Sequence, residues 1–190
     1  MDNLGIYYDM VVKKDDKIIR IYRKRKCHSF VKQFIQLLLR KMIAPPSSVI
    51  IKDITNTNRT LTEENYAINL YLNGPVNSTA YGPVVGTGIT EITINDYVME
   101  TLIAHGTSAG QLQYSVTVFG APTTTAPGTS FIVTRVFTNN SGNSITINEI
   151  GLYSYLPTYS FLIVHDNLTS PVTLANGETV TLNYTFTTTI

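Results

Sequence analysis

Apolar and polar residues alternate on either side of a polar turn in the C-terminal half of the sequence. One run extends from Phe131 to Phe137 and another from Ile145 to Tyr153. Between them stands the segment NNSGN, which is rich in residues that adopt positive φ at little cost. Two strand-like runs that flank such a turn predict a β-hairpin over residues 131–153.

From residue 81 onwards the chain repeats this style, with short strands and turn signals at roughly even spacing. The cleanest alternation runs from Val180 to Phe186, with threonine or asparagine on the opposite face. One dry face and one wet face indicate antiparallel sheets that pack on one side. We therefore predict a mainly β fold, an antiparallel, jelly-roll-like β-sandwich over residues 81–190. The predicted strands are Gln111–Phe119, Ser130–Asn139, Ser144–Tyr153, Phe161–Asp166, Val172–Leu174 and Glu178–Thr187.

A second, basic hairpin is predicted over residues 4–26. Apolar residues alternate from Ile6 to Val12, a polar turn follows, and a second alternating run leads into four consecutive cations. Such a run is a candidate contact for nucleic acid or another anionic surface. The alternative is a solvated strand end whose charges prevent unwanted pairing at a sheet edge. The four cations are Arg23, Lys24, Arg25 and Lys26.

One apolar α-helix is predicted from Ser29 to Ile43. Ser29 is a suitable N-cap, and Pro45 prevents the helix from continuing. A length of about 15 residues corresponds to roughly 22 Å, shorter than the ~30 Å hydrocarbon core of a membrane. Its polar residues form only a narrow stripe. They are Lys32, Gln33, Gln36 and Arg40.

Because the rest of its circumference is apolar, we expect this helix to be buried between its own domain and other copies of the chain. Contact with a membrane surface is the less favoured alternative. The predicted assembly interface consists of Phe30, Phe34, Leu37, Leu38 and Met42.

The predicted organisation has three parts. Residues 1–54 form a basic arm of hairpin and helix, residues 55–80 a connector, and residues 81–190 the sandwich. Apolar residues predict a strand from Val49 to Ile54, a turn cluster over residues 56–60 and a further strand from Tyr66.

Charge and composition make the same division. Only 14% of the 190 residues are charged, against about 25% in an ordinary soluble domain. Residues 1–60 hold 13 of the 14 Lys and Arg and 5 of the 13 acids, a net charge of +8, whereas the remainder sums to −7. All 27 threonines stand at position 55 or later. A weakly charged surface suits permanent assembly, and opposite charges favour head-to-tail contact between copies.

The titratable residues form no reactive constellation along the sequence. His28, His105 and His165 are widely separated, and the single Cys27 excludes a disulfide framework. We expect His165 to be a surface or strand-end residue, and Cys27 to serve packing. Gly82–Gly88 lacks the ending of a phosphate-binding loop. We therefore expect no enzymatic activity, no cofactor, no metal and no small-molecule substrate.

Arg135 stands alone as the last cation of the chain and lies inside a predicted strand. If its side chain faces inward, it needs a partner. Glu149, in the next strand, is the candidate for a structural ion pair. The alternative is that Arg135 points outward.

Three stretches carry a resemblance to a known class of protein. Residues 137–153, 161–166 and 168–185 resemble β-sandwich modules of capsid- and tail-associated proteins of tailed phages and archaeal viruses. A basic hairpin followed by SFVKQF and an apolar helix is similar to the start of small virion proteins. The resemblance implies a non-enzymatic structural protein of the virion: a capsid, vertex or turret, tail, connector or nozzle component.

Such a protein would contact copies of itself and other virion proteins. We expect it in the virion after synthesis in the host cytoplasm, because no signal peptide is recognisable. Two alternatives remain open. One is a host-surface or glycan-binding module with Tyr153–Tyr159 as an aromatic platform, and the other is a basic arm that binds packaged DNA.

Overall fold

The computed structural model describes residues 3–27, 30–43, 47–62, 70–156 and 158–189. The protein is mainly β, with 56% strand and 6% helix, and its sheets are antiparallel. The described elements are β1 (Asn3–Lys14), β2 (Lys17–Lys26), α1 (Lys32–Met42), β3 (Val49–Lys52), β4 (Asn58–Leu61), β5 (Gly82–Gly86), β6 (Gln113–Tyr114), β7 (Val118–Phe119), β8 (Thr123–Thr125), β9 (Gly128–Thr138), β10 (Ile145–Leu156), β11 (Tyr159–Leu174) and β12 (Glu178–Thr189).

Seven strands form the larger sheet. β2, β1, β12 and β9 follow one another in that order, and β6, β7 and β8 each pair with a different part of β9. The alternation predicted for β12 is confirmed, since Val180, Leu182 and Tyr184 are fully buried while the residues between them are half-exposed. Its apolar face, together with those of β1 and β9, forms one wall of the core.

The N-terminal hairpin is confirmed as an element, but it belongs to this larger sheet. β1 pairs with β2 and, on its other side, with β12 from Asn3 opposite Thr189 to Lys14 opposite Glu178. The predicted boundary at residue 54 therefore assigns β1 and β12, which are neighbours in one sheet, to different parts of the chain.

The smaller sheet has the order β11-β10-β5 and lies between the larger sheet and α1. β11 contacts both α1 and β12, and β5 contacts β9. Because both faces are covered, β10 is buried continuously from Glu149 to Ser154. This double coverage explains why its sequence alternates less cleanly than that of β12.

The hairpin predicted over residues 131–153 is wrong. β9 lies in the larger sheet and β10 in the smaller one, and they pair with β12 and β11 respectively. The turn between them crosses from sheet to sheet and is held by the buried Asn139. Its Nδ2 donates to the carbonyl oxygens of Asn143 and Leu174, both at 2.8 Å. The polar turn was recognised correctly, but its strands take partners elsewhere.

Other boundaries also differ. The strand predicted over residues 111–119 is split into β6 and β7, while the two strands predicted over residues 161–174 form the single long β11. Part of the predicted turn cluster at residues 56–60 is the strand β4, paired with β3. The predicted N-cap Ser29 and the start of the strand at Tyr66 lie outside the described residues.

Candidate functional site

The helix α1 packs with its polar side against the protein. Gln33, Leu37 and Arg40 are buried in it. Arg40 Nε donates to the carbonyl oxygen of Leu61 at 3.1 Å, and Nη1 donates to that of Ile43 at 3.0 Å. Two of the four residues of the predicted polar stripe, Gln33 and Arg40, therefore face the protein, which is the reverse of the usual orientation of a surface helix.

The opposite side of α1 is apolar and open to solvent. Its exposed residues follow the spacing i, i+3, i+4, i+7, which places them on one face of a helix about 100° wide. We call these four residues the outer helix stripe. They are Ile35, Leu38, Leu39 and Met42, with exposed fractions of 58%, 38%, 48% and 76%. Contiguous exposed apolar residues of this kind mark interaction sites.

The five residues of the predicted assembly interface differ in their accessibility. Leu38 and Met42 lie in the outer helix stripe. Leu37 is wrong, because it is fully buried in the core of its own chain. Phe30 and Phe34 are half-buried and stack on each other with ring centroids 4.1 Å apart.

Sequence reasoning did not select Ile35 and Leu39 for the interface. Their spacing relative to Leu38 and Met42 was the available signal. It was hidden because the helix has apolar residues on nearly every side, so several candidate faces existed.

An acidic loop lies at the start of α1, which itself carries only basic charged residues. We call residues 88–101 the acidic loop, since it holds three acids and no basic residue. Lys32 N–H donates to the carbonyl oxygen of Ile94 at 3.1 Å, and Lys32 Nζ donates to Asn95 Oδ1 at 3.0 Å. Ile94 and Ile89 are 60% and 77% exposed. The acidic loop therefore exposes two apolar side chains, of which Ile94 lies next to the start of the helix.

A buried carboxylate–imidazole cluster anchors the acidic loop. His165 Nε2 lies 2.7 Å from Glu149 Oε2, and His165 Nδ1 lies 2.9 Å from Asp96 Oδ2. Two carboxylates accept hydrogen bonds from both ring nitrogens only if the imidazole carries both protons. His165 is 3% exposed and lies within β11, so the prediction of a surface or strand-end histidine is wrong.

The pKa shifts agree with this geometry. Burial by itself would lower the pKa of His165, but hydrogen bonds and Coulombic attraction from Glu149 and Asp96 outweigh it and raise the pKa. Burial would raise the pKa of Glu149, yet the hydrogen bond from His165 and three backbone N–H groups lower it. Both shifts favour the charged forms of His165 and Glu149.

Glu149 connects the cluster to the backbone of the acidic loop. Its Oε1 accepts the N–H groups of Gly88 at 2.9 Å and Thr101 at 2.7 Å, and its Oε2 accepts that of Glu100 at 3.0 Å. A Cβ on Gly88 would stand only 2.6 Å from Glu149 Oε1, so this close approach requires glycine. The two ends of the loop are thus tied to one buried carboxylate.

The cluster borders a cavity of about 350 Å³ lined by the acidic loop and His165. Both imidazole nitrogens already face carboxylates, so His165 has no ring lone pair available to act as a base. Within the described part of the chain, no group of three His, Cys, Asp or Glu side chains has an arrangement suited to a metal ion. The geometry therefore assigns both ring nitrogens of His165 to holding the loop.

The predicted ion pair between Arg135 and Glu149 is wrong, because the two side chains have other partners. Arg135 is fully buried and directs its five N–H groups at five backbone carbonyl oxygens, 2.7 to 3.2 Å away. These carbonyls belong to Pro75, Ser78, Tyr81, Pro83 and Ser115. The guanidinium also lies over the Tyr114 ring, 4.9 Å from its centroid.

The cations of β2 stand at an open edge of the larger sheet. Arg23, Lys24 and Lys26 are exposed, and Lys24 Nζ lies 5.0 Å above the ring of Tyr7. Arg25 is half-buried and donates to the hydroxyls of Thr169 and Ser170. A β-bulge interrupts the pairing of β2 with β1 at this point, as is common where sheet edges resist unwanted pairing. Three of the four predicted contact residues are thus accessible.

The aromatic platform predicted over Tyr153–Tyr159 is not an open surface. Tyr153 is fully buried, and its hydroxyl accepts the Met99 N–H at 2.9 Å. Tyr155 stacks on Tyr81 with centroids 4.7 Å apart, and the Arg59 guanidinium covers the Tyr159 ring at 4.0 Å. These rings serve internal packing.

No protein-family model, curated protein or solved structure matches this chain. Among the described residues, no helix has both the length and the apolar character needed to cross a membrane.

Proposed function

We propose that this chain is a structural subunit of a virus particle that assembles with copies of itself through the outer helix stripe. The observation that supports it is the orientation of α1. Gln33 and Arg40 point into the protein, whereas Leu39 and Met42 face solvent. Exposed apolar area of this kind stabilises association when it is covered, at roughly 25 cal/mol per Å².

We base the virion assignment on the resemblance of residues 137–153, 161–166 and 168–185 and on the low charge of the chain. The proposed body is a jelly-roll-like β-sandwich. In support, the two antiparallel sheets contact each other through β5 with β9 and β11 with β12. The chain also crosses between sheets after β9 instead of forming a local hairpin. Head-to-tail contacts through further surfaces, added to the contact at α1, would close a ring, as in a connector or vertex complex.

Removing the apolar stripe should dissociate the assembly without unfolding the subunit. We expect the wild-type protein to be an oligomer and the variant Leu39→Gln/Met42→Gln to dissociate, with a Kd at least about 100-fold higher, since burying two such side chains contributes several kcal/mol. Native mass spectrometry gives the copy number, and circular dichroism confirms the fold. Negative-stain images of the wild type distinguish a ring from a shell fragment.

The matched control is Val118→Gln, which also removes an exposed apolar side chain, but on β7. It should leave the oligomer unchanged. A wild-type protein that stays monomeric at all concentrations would contradict the proposal.

A second role, contact with packaged nucleic acid, is favoured by the exposed cations of β2. Three phosphate contacts give a salt slope of about −2.7, so affinity for duplex DNA should fall about 40-fold between roughly 50 and 200 mM salt. Fluorescence anisotropy measures this, and Arg23→Glu/Lys24→Glu should abolish binding. The charge-matched control Lys13→Glu/Lys14→Glu, at the hairpin turn, should weaken it less. Equal losses in both variants would argue against a local contact.

A further inference from the structure

We infer that the outer helix stripe of one copy docks on the acidic loop of a second copy. The two copies are related by a two-fold axis, so the reciprocal contact also forms. This inference rests on the proposed self-assembly and names the surface that receives the helix. It follows from charge, from apolar exposure and from the position of the loop relative to the helix.

The two surfaces are complementary in charge. α1 contains no acidic residue, and its exposed Lys41 forms no salt bridge with any described residue. The acidic loop contains no cation, and Glu91 is exposed. Docking of the outer helix stripe on the acidic loop places Lys41 near the carboxylates of that loop.

The surfaces are also complementary in apolar character. Leu39 and Met42 project from the helix, and Ile89 and Ile94 project from the loop. A contact that covers both pairs removes four exposed apolar side chains from water in each half of the interface. The polar residues around them then form the rim, as in ordinary protein interfaces.

Within one copy, the C-terminal end of the outer helix stripe lies too far from the acidic loop to contact it. The acidic loop is attached at the N-terminal end of α1 through Lys32. The helix has 11 residues. It is therefore about 16 Å long, so Met42 lies roughly that far from its own Ile94. A two-fold axis across the middle of α1 would place Met42 and Lys41 of one copy on the acidic loop of the other, and the reverse contact follows by symmetry.

The anchoring of the loop supports a docking role. Glu149 holds both ends of the acidic loop by backbone hydrogen bonds, and His165 holds Asp96 near its middle. A loop fixed in this way loses little conformational freedom on binding, which favours affinity. Lipid is the less suitable occupant, because carboxylates next to the stripe repel anionic headgroups.

The test is a charge-reversal cycle on the full chain. Lys41→Glu and Glu91→Lys should each raise the dimer Kd about 10-fold or more, because each change occurs at both copies of the contact. The double variant should return to within about 3-fold of the wild type. Analytical ultracentrifugation measures the Kd. Lys14→Glu, an exposed lysine in the first hairpin, is the control and should leave the Kd unchanged.

Cross-linking tests the pairing directly. Mixed chains that carry Met42→Cys and Ile94→Cys should form a disulfide-linked heterodimer under mild oxidation, and the buried Cys27 should stay unreacted. Met42→Cys mixed with Val118→Cys should not form one. The restored affinity of the double reversal excludes a simple loss of helix stability as the cause of the single effects.

The outcomes separate this inference from the proposed function. An oligomer that shows neither charge coupling nor the Met42→Cys/Ile94→Cys cross-link overturns the docking geometry and leaves self-assembly standing. A wild-type monomer overturns both. Flotation of the protein with phosphatidylserine vesicles, lost in Leu39→Gln/Met42→Gln, would overturn the docking inference in favour of a lipid surface.

Discussion

Replacing Arg135 by methionine is expected to leave most of the protein unfolded at room temperature. All five guanidinium N–H groups donate hydrogen bonds: Nε donates one, and each terminal nitrogen donates two. Methionine fills much of the volume but donates no hydrogen bond. Five carbonyl oxygens around a fully buried position would lose their donor together.

The expected loss is large compared with the stability of an ordinary domain. An unsatisfied buried carbonyl costs about 1 to 3 kcal/mol, so five together cost at least about 5 kcal/mol. Domains of this size are stable by about 5–15 kcal/mol. Burial lowers the pKa of Arg135 to about 10, which still leaves the side chain charged at neutral pH. The carbonyl dipoles therefore replace water as the solvation of that charge.

Urea denaturation followed by circular dichroism gives the free energy of unfolding of each variant. Arg135→Lys keeps the charge but has three donors, so its loss should be intermediate. Arg59→Met is the control, because its pairing with Asp53 involves a partly exposed guanidinium and should contribute much less than Arg135 does. A loss below about 1 kcal/mol for Arg135→Met would mean that water replaces the guanidinium.

The second large effect is expected at Glu149. Glu149→Gln removes a fully buried carboxylate that accepts three backbone N–H groups and faces the His165 imidazolium. The new amide NH2 group would face N–H donors instead of accepting hydrogen bonds from them. The His165 imidazolium would keep only Asp96 as a charged partner. Breaking a buried pair from one side costs about 3–5 kcal/mol.

The loss should depend on pH in a defined direction. The raised pKa of His165 means that its contribution is complete below the unfolded value of about 6.5 and is lost as pH rises through the folded pKa. The lowered pKa of Glu149 means that its contribution is complete above about 4.5 and is lost as pH falls through the folded pKa. The difference between wild type and Glu149→Gln should be largest between these limits.

Denaturation curves from about pH 5 to pH 9 test this window, and NMR titration of the His165 ring gives its folded pKa directly. Asp96→Asn is the comparison, because this carboxylate is partly exposed and should contribute less. A difference that stays constant over the whole range would show that His165 is neutral in the folded protein.

Local pattern was sufficient for some parts of the fold. The regular alternation of β12 specified which of its residues are buried. The polar turn at Asp15 and Asp16 specified the first hairpin. Both are short-range properties, since side chains alternate along any strand and turns depend on neighbouring residues. The location of the helix followed in the same way.

The choice between partners was decided by the tertiary structure. β9 and β10 each have the pattern of a hairpin strand, but β9 pairs with the distant β12, and β10 pairs with β11, the strand that follows it. Alternation says which face of a strand is buried and nothing about the strand that lies beside it. Arg135 and Glu149 were therefore paired wrongly, because facing positions in a hairpin are not facing positions across two sheets.

The sequence by itself determined the mainly β character, the alternating core faces, the basic first hairpin and the presence of one apolar helix. The tertiary structure alone decided which side of that helix faces out, that Arg135 binds five carbonyls, and that Asp96, Glu149 and His165 meet. The physical reason is range. Periodicity and turn chemistry act over a few residues, whereas the burial of a charge or of a helix face depends on segments far away along the chain.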